Sequence, residues 1–235
     1  MLDVEKATMI DFKGVHYSHE VILYSVFLYV RYGVSYRDLE YIMAERGVSV
    51  DHATLNRWVV RYSPLIADEA KKHKQSVAGS WRMNETYIKV KGQWTYLYRA
   101  LDKYGNTVDF MLSKYRDEVV ATAFFKQAID HHGLPNKVVI DKSGVNNAGL
   151  EHINLLIFLA GLLCFIDLLK VKYLNNIVEQ DHRFIKKITK PMMGFKAFHS
   201  ASATLAGIET AHMIRKGEFT NSQWPAHQQF MALAA

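Results

Sequence analysis

The sequence has few of the residues that form disulfides, leader peptides or membrane spans. Its single cysteine, Cys164, excludes an intramolecular disulfide and suits a reducing cytosol. The longest apolar run covers residues 155–166, and its twelve residues are too few to span a bilayer. The N-terminal segment is acidic and mixed, without the basic and then apolar pattern of a signal peptide. We therefore expect a cytoplasmic protein without a membrane partner.

Two kinds of ligand site are also missing. No group of Cys and His residues has the spacing of a structural zinc site. No Gly-rich phosphate loop of the Walker type occurs, so ATP dependence is not expected. What is present is a chain of 235 residues, 49% hydrophobic and 22% charged, which is long enough to bury a sizeable core.

Positive charge is concentrated near the C-terminal third. The net charge is +6, yet residues 1–80 hold ten basic and ten acidic residues. Residues 170–196 hold seven Lys and Arg against Glu179 and Asp181. Such a cluster favours a polyanion such as nucleic acid, although a solvated helix face is equally consistent with it. The candidate DNA contacts in this segment are Lys172, His182, Arg183, Lys186 and Lys187.

Residues 18–62 have a helical pattern three times over, with Ser18 and Asp51 at N-cap positions. Two short amphipathic helices, 35–47 and 51–62, follow a longer one, which is typical of a helix-turn-helix. The first residues of the second short helix would then face DNA bases in the major groove. The alternative is a neutral three-helix bundle that only supports the next domain. The candidate DNA contacts are His52, Thr54, Asn56, Arg57 and Arg61.

From about residue 80 the pattern alternates as in β-strands. Three strands are expected at 81–90, 93–102 and 107–112, before a helix at 117–131 and a buried strand at 137–141. Antiparallel strands that lead into β/α alternation indicate an α/β domain with a mixed sheet.

Two acidic residues in this domain suit metal-dependent phosphoryl transfer. Asp141 ends the buried strand, at the edge of the sheet where ligands usually bind, although Asp also caps turns. Glu179 shares a helix face with basic residues, although it would also suit a capping box if Asn176 were the N-cap. Mg²⁺ prefers carboxylate oxygens, and a third acid should lie on a neighbouring strand. Asn84 stands at that place, and Glu85 should face away from it because strand side chains alternate.

The sequence resembles the DDE transposases of bacterial insertion sequences, in particular the insertion-sequence-six family. The resemblance extends over nearly the whole chain in the family's order. It is carried by FKGVHY at 12–17, SYRDLEYIMAERGVSVDHATLNRWV at 35–59, WRMNETYIKVKGQWTYLYRALDKYGNTVDF at 81–110, VVIDKSG at 138–144, VKYLNNIVEQDHRFIKK at 171–187 and PMMGFKAF at 191–198.

The resemblance implies a domain order and a chemistry. A helix-turn-helix domain at 1–64, which binds the terminal inverted repeats, and a linker at 65–79 would precede an RNase H-like catalytic domain at 80–216 and a peripheral tail at 217–235. The partners would be double-stranded terminal-repeat and target DNA in the nucleoid, held by a homo-oligomer that is a dimer or larger. Two Mg²⁺ ions, with Mn²⁺ as an alternative, would bind at Asn84, Asp141 and Glu179, which occupy the three catalytic positions.

One of these positions departs from the family's motif. Asn84 replaces the Asp of W-x-M-D-E-T-Y, and so lacks the negative charge that helps to hold two divalent cations. We therefore expect a transposase that binds transposon ends but is weak or inactive in cleavage. A non-catalytic repressor that occupies the same ends is a second hypothesis. An RNase H-like nuclease with another nucleic-acid substrate is a third, disfavoured by the N-terminal helix-turn-helix.

Overall fold

The computed structural model describes residues 10–12, 16–141, 144–162, 164–192 and 194–234, without the side chain of Lys172. Contacts divide the chain into two units. The helical unit contains the described residues up to Lys74 and those from Ala203 onward, and the sheet unit contains Gln75–Ser202. In the described part of the chain, no helix is long and apolar enough to cross a membrane.

The helical unit begins with three helices whose N-caps the sequence predicts. They are α1 (His19–Arg31), α2 (Tyr36–Ala44) and α3 (His52–His73). The side chains of Ser18, Ser35 and Asp51 accept hydrogen bonds from free backbone N–H groups at the three N-termini. The predicted N-caps at Ser18 and Asp51 are therefore confirmed, and α2 and α3 begin where the sequence indicates.

Two features of this unit differ from the sequence-based expectation. The helix expected to stop at Ser63-Pro64 continues to His73, because the buried stripe of α3 extends through Ile66 and Ala70. The expected linker at 65–79 is therefore largely helix. Part of the expected tail is not peripheral, because Phe230 of α8 is buried against Phe27 of α1.

The C-terminal helices of this unit pack closely. They are α7 (Phe198–Lys216), which enters the unit at Ala203, and α8 (Ala226–Ala232). A Cβ atom at Gly207 would lie 2.7 Å from both Ser63 Oγ and a methyl group of Val30. Glycine at 207 therefore allows α7 to approach α1 and α3 more closely than any other residue would.

The sheet unit contains five strands in the order β3-β2-β1-β4-β5. The first three pair antiparallel, whereas β4 pairs parallel with both β1 and β5. This is the mixed sheet that the sequence predicts. The strands are β1 (Ser80–Val90), β2 (Gln93–Asp102), β3 (Thr107–Ser113), β4 (Lys137–Val139) and β5 (Asp167–Leu169).

Helices pack on this sheet and complete the α/β fold that the sequence predicts. They are α4 (Glu118–His132), α5 (Gly144–Leu159) and α6 (Asn176–Thr189), and a 3-10 helix at Lys172–Asn175 leads into α6. Met83, Tyr98 and Ile140 of the sheet region share one core cluster with Phe124 of α4 and Leu150 of α5. The opposite face of β1 and β2 packs against α6.

Candidate active site and DNA-binding surface

Asn84 and Asp141 are brought to the same edge of the sheet. Parallel pairing aligns Trp81 with Val138 and Arg82 with Val139, where the ladder ends, and Asn84 and Asp141 each follow two residues later. Met83 and Ile140, one residue earlier on each segment, both enter the core. Since side chains alternate along extended backbone, Asn84 and Asp141 face away from that core, on the side of α6.

The start of α6 is fixed near the same place. The side-chain amide of the buried Asn175 donates to the Met83 carbonyl oxygen at 3.5 Å, and Met83 directly precedes Asn84. Glu179 follows one turn later and is exposed, without a hydrogen bond or ion pair to another described residue. Asn175, not Asn176, is the N-cap residue, and its side chain makes no capping bond. The capping-box explanation of Glu179 is therefore not supported.

Glu85 faces away from Asn84, as the alternation predicts, but it is deeply integrated. Its side chain is 3% exposed, and its two oxygens accept hydrogen bonds from Arg116 Nε at 2.5 Å and Asn146 Nδ2 at 2.7 Å. Burial would lower the pKa of Arg116, but the hydrogen bond and charge of Glu85, with smaller contributions from Tyr87 and Asp141, raise it. Glu85 thus ties α5 and the approach to α4 to β1, close to Asp141.

A buried cation lies on the Asn84 side of the sheet. Arg99 is paired across the strands with Asn84, and its Nη2 donates to the Asp181 carboxylate at 2.5 Å. The sequence does not predict this contact, because Asp181 lies among basic residues and is explained there as an acid that offsets their charge. A signal was available, since an arginine at a central strand position must find a carboxylate when buried.

His182 does not lie on the exposed basic face, and that expectation is wrong. Its side chain is buried at 5% exposure, and α6 turns Val178, Ile185 and Ile188 inward with it. Burial, and then the charge of Arg99, lower the pKa of His182 to about 3, so it is neutral at physiological pH. Ile177, by contrast, is exposed.

The remaining basic residues of α6 are exposed. Arg183, Lys186 and Lys187 face solvent, as a surface that attracts phosphates requires. The fourth candidate of this segment, Lys172, begins the 3-10 helix, and its side chain lies outside the described part of the structure.

The donor set does not fit two divalent ions. Asp141 and Glu179 supply two negative charges, and Asn84 supplies a neutral carbonyl that accepts from the Glu85 N–H at 2.8 Å. In the described residues, no group of three or more His, Cys, Asp or Glu side chains has an arrangement that could hold a metal. Asp102 cannot replace the missing acid, because its carboxylate accepts hydrogen bonds from Ala78, Tyr104 and Asn106 around the β2–β3 turn.

The N-terminal half of α3 presents a polar surface. Asn56, Arg57 and Arg61 are exposed, and Arg57 donates to Thr54 Oγ1 at 2.6 Å. His52 is exposed as well, but its Nδ1 lies 3.0 Å from Glu40 Oε2 of α2. Arg61 donates to the Asp11 carbonyl oxygen at 3.3 Å. The exposed surface therefore carries one amide and two guanidinium groups, and each guanidinium group already makes one hydrogen bond within the helical unit.

This chain is similar to known transposases over most of its length. The family described as a DDE domain (DDE_Tnp_IS240) matches residues 78–218. The transposase of the insertion sequence-like element IS431mec from Staphylococcus aureus is 38% identical over 95% of this chain and 99% of its own length. The transposase of IS257 in transposon Tn4003, also from S. aureus, is 37% identical over the same shares.

Solved structures with a similar chain trace include two retroviral integrase catalytic cores. The HTLV-2 core in complex with magnesium has 14% identity and a TM-score of 0.43, covering 59% of this chain and 87% of that one. The BIV core has 17% identity and a TM-score of 0.42, covering 56% and 82%. From the domain match and the full-length relatives, this chain belongs to the DDE transposases of the insertion-sequence-six family.

Proposed function

We propose that this chain binds the terminal inverted repeats of its insertion sequence, and that its strand cleavage and transfer are impaired at Asn84. The observation that carries the proposal is the placement of Asn84. It occupies the strand position beside Asp141, next to the α6 terminus that bears Glu179, and no third carboxylate accompanies them among the described residues. The scaffold for the reaction is complete, but one ligand lacks its charge.

End recognition is assigned to the α2–α3 pair. With α3 in the major groove, Asn56 can pair with adenine and Arg57 with guanine, while Arg61 lies one turn further along for a phosphate. The basic residues of α6 would hold the DNA backbone near the candidate acids. Two ends must be held together in transposition, so a dimer or larger assembly on DNA is part of the proposal.

Divalent metal is expected to be the cofactor of the family's reaction, with Mg²⁺ stabilising the attacking and leaving oxygens of an in-line displacement. Here the residues that would hold it are Asp141, Glu179 and the amide oxygen of Asn84. The Asp141 carboxylate also acts on the charge of the Arg116 guanidinium group. Because only two of the three ligands carry a negative charge, we expect metal to bind weakly in this chain.

The test restores the acid. Asn84→Asp should leave binding of a terminal-repeat duplex unchanged and raise strand transfer by at least about a hundredfold, as for groups that stabilise transition-state charge. Gel retardation and strand transfer in Mg²⁺ and in Mn²⁺ would be measured for both forms. Asn84→Asp combined with Glu179→Gln is the matched control and should be inactive again. Equal strand transfer by the unaltered chain and Asn84→Asp would contradict the impairment.

The repressor hypothesis shares the DNA binding but not the reaction. Asn84 is the observation that favours it, since the substitution leaves α2 and α3 intact. If Asn84→Asp binds ends and still does not cut, occupation of the ends without chemistry becomes the better account. A co-expressed active relative would then transpose less often when this chain is present. Its transposition frequency should return to normal when this chain carries Arg57→Ala.

A further inference from the structure

A cavity beside the β1–β2 hairpin combines positive charge with exposed aromatic rings. It has a volume of about 670 Å³, and the end of α6 together with residues 194–195 forms its other wall. Its basic and aromatic lining residues are Tyr87, Lys89, Trp94, Lys186, Lys190 and Phe195. No acidic side chain is among the described residues that line it. We call this cavity the hairpin groove.

The groove is built from a gap in the sheet. β4 pairs with β1 only as far as Arg82, so beyond that residue the edge of β1 is not covered by β4. Further along, a single bridge joins Val90 to Phe195, with the Phe195 N–H donating to the Lys89 carbonyl at 3.2 Å. Between these two points the space along β1 opens toward α6.

The aromatic rings of the groove are unusually exposed. Trp94 is 60% exposed and Tyr87 is 48% exposed, and the two rings meet edge to face with centroids 6.1 Å apart. The ammonium group of Lys89 lies 5.7 Å from the centre of the Trp94 ring. A ring with an open face beside ammonium groups suits a nucleotide, whose base stacks while its phosphate is neutralised.

The wall of the groove on α6 lies in line with the candidate acids. Lys186 follows Glu179 by two turns on the same stripe of α6, about 10 Å along the helix. Ile88 lies on the same side of β1 as Asn84, about 13 Å further along the strand, whereas Tyr87, Lys89 and Trp94, which is paired with Lys89, lie on the other side. The groove therefore opens around the free edge of β1 and takes residues from both faces of the hairpin. At about 3.4 Å per nucleotide of B-form strand, these lengths correspond to roughly three or four nucleotides.

We propose that the hairpin groove holds an unpaired DNA strand that flanks the reacting phosphate, with a base stacked on Trp94 and phosphates bound by Lys186 and Lys190. An unpaired strand is specified because a ring can stack on a base face only where the duplex neighbour is absent. The inference rests on the proposed action of this chain on DNA ends, and it adds a strand-binding site that the α2–α3 pair does not supply.

The first test separates stacking from charge. The full chain would be titrated into a fluorescent short oligothymidylate and, separately, into an abasic oligomer of the same length, with anisotropy as the readout. Trp94→Ala should weaken binding of oligothymidylate by about fivefold to a hundredfold and leave the abasic oligomer unaffected. Trp224→Ala, at another exposed tryptophan, is the matched control and should bind both probes like the unaltered chain.

The second test addresses the phosphates. Lys186→Ala with Lys190→Ala should weaken both probes and reduce the slope of log affinity against log salt by about 1.4, since each single-strand contact contributes about 0.7. Lys187→Ala removes an exposed lysine of α6 that does not line the groove, and should change binding less than either groove lysine. Trp94→Phe keeps a ring and should retain most of the binding, which guards against loss through misfolding.

Two results would overturn the proposal. One is equal oligothymidylate binding by Trp94→Ala and Trp224→Ala, and the other is equal weakening of both probes by Trp94→Ala. If the chain does not bind oligothymidylate but still retards a terminal-repeat duplex, the groove proposal is wrong and the proposed function is unaffected. If it binds oligothymidylate but not the duplex, the proposed end recognition is wrong and the groove proposal is unaffected.

Discussion

The two faces of β1 carry neighbouring polar side chains with different tasks. On one face, Glu85 is buried and bonded to Arg116 and Asn146, so three segments of the sheet unit meet at its carboxylate. On the other face, the side chain of Asn84 is half-buried, and its amide oxygen accepts a hydrogen bond from the backbone N–H of Glu85. The carboxylate of Glu85 is bonded into the fold, whereas an amide stands at the position that we propose for the first metal ligand.

The two side chains differ in how many other groups depend on them. Removing the Glu85 charge would leave the Arg116 guanidinium without its carboxylate and Asn146 without its acceptor. The buried Arg99 opposite position 84 does not depend on Asn84 for its carboxylate partner, because it is bonded to Asp181 of α6. The comparison predicts that mutations on the two faces affect different measurements.

The largest effect on stability is expected at Glu85. Glu85→Ala should lower the free energy of unfolding by about 2–3 kcal/mol, because the buried Asn146 amide loses its acceptor and the partly exposed Arg116 loses its carboxylate partner. Urea denaturation followed by circular dichroism measures it. Glu179→Ala, an exposed acid of the same unit, is the control and should change stability by less than about 0.5 kcal/mol. Similar losses for the two variants would remove the distinction between a structural and a reactive carboxylate.

The local pattern of residues was sufficient to predict β1 to β4, the N-caps at Ser18 and Asp51, and the opposite orientations of Asn84 and Glu85. Each of these depends on neighbours within a few residues along the chain. The partners of Glu85 lie 31 and 61 residues away, so its importance could not be deduced from alternation alone. For the same reason the sequence predicts only that Glu85 faces away from Asn84.

The ends of helices and their buried faces are harder to predict from the sequence. Pro64 predicts an end to α3, but the cost of a missing backbone hydrogen bond is outweighed by the buried stripe that continues to Ala70. On α6, the polarity of His182 and its basic neighbours place it among the candidate DNA contacts, whereas the structure buries it. Its burial depends on β2 and Arg99, which no periodicity within 176–189 reveals.

The face that carries Asn84 should show its own pH dependence through His182. Its pKa is about 3 when folded and near 6.5 when unfolded, with Arg99, Asp181 and Lys186 as the charged groups that act on it. Below pH 6.5 the unfolded chain gains a proton that the folded chain does not. Stability should therefore be complete above pH 6.5 and be lost as the pH falls toward 3, by about 2 kcal/mol at about pH 5.

Denaturation at several pH values would measure this loss. His182→Leu removes the titrating group and should flatten the curve between pH 6.5 and about pH 5, whereas His199→Leu, at an exposed histidine, should leave it unchanged. An identical slope in His182→Leu would show that other groups cause the acid sensitivity, and that α6 is not held against the sheet in the manner described.

The smallest effect on stability is expected at Asn84 itself. Asn84→Asp should change the free energy of unfolding by less than about 1 kcal/mol at neutral pH, because the new charge is half-buried and Arg99 lies across the strand pair to compensate it. Urea denaturation without metal and with Mg²⁺ would measure the change. Added Mg²⁺ should stabilise Asn84→Asp more than the unaltered chain, since a ligand that binds only the folded state raises stability with its affinity. If Asn84→Asp is destabilised as strongly as Glu85→Ala, position 84 also serves the fold, and the separation between the two faces of β1 fails.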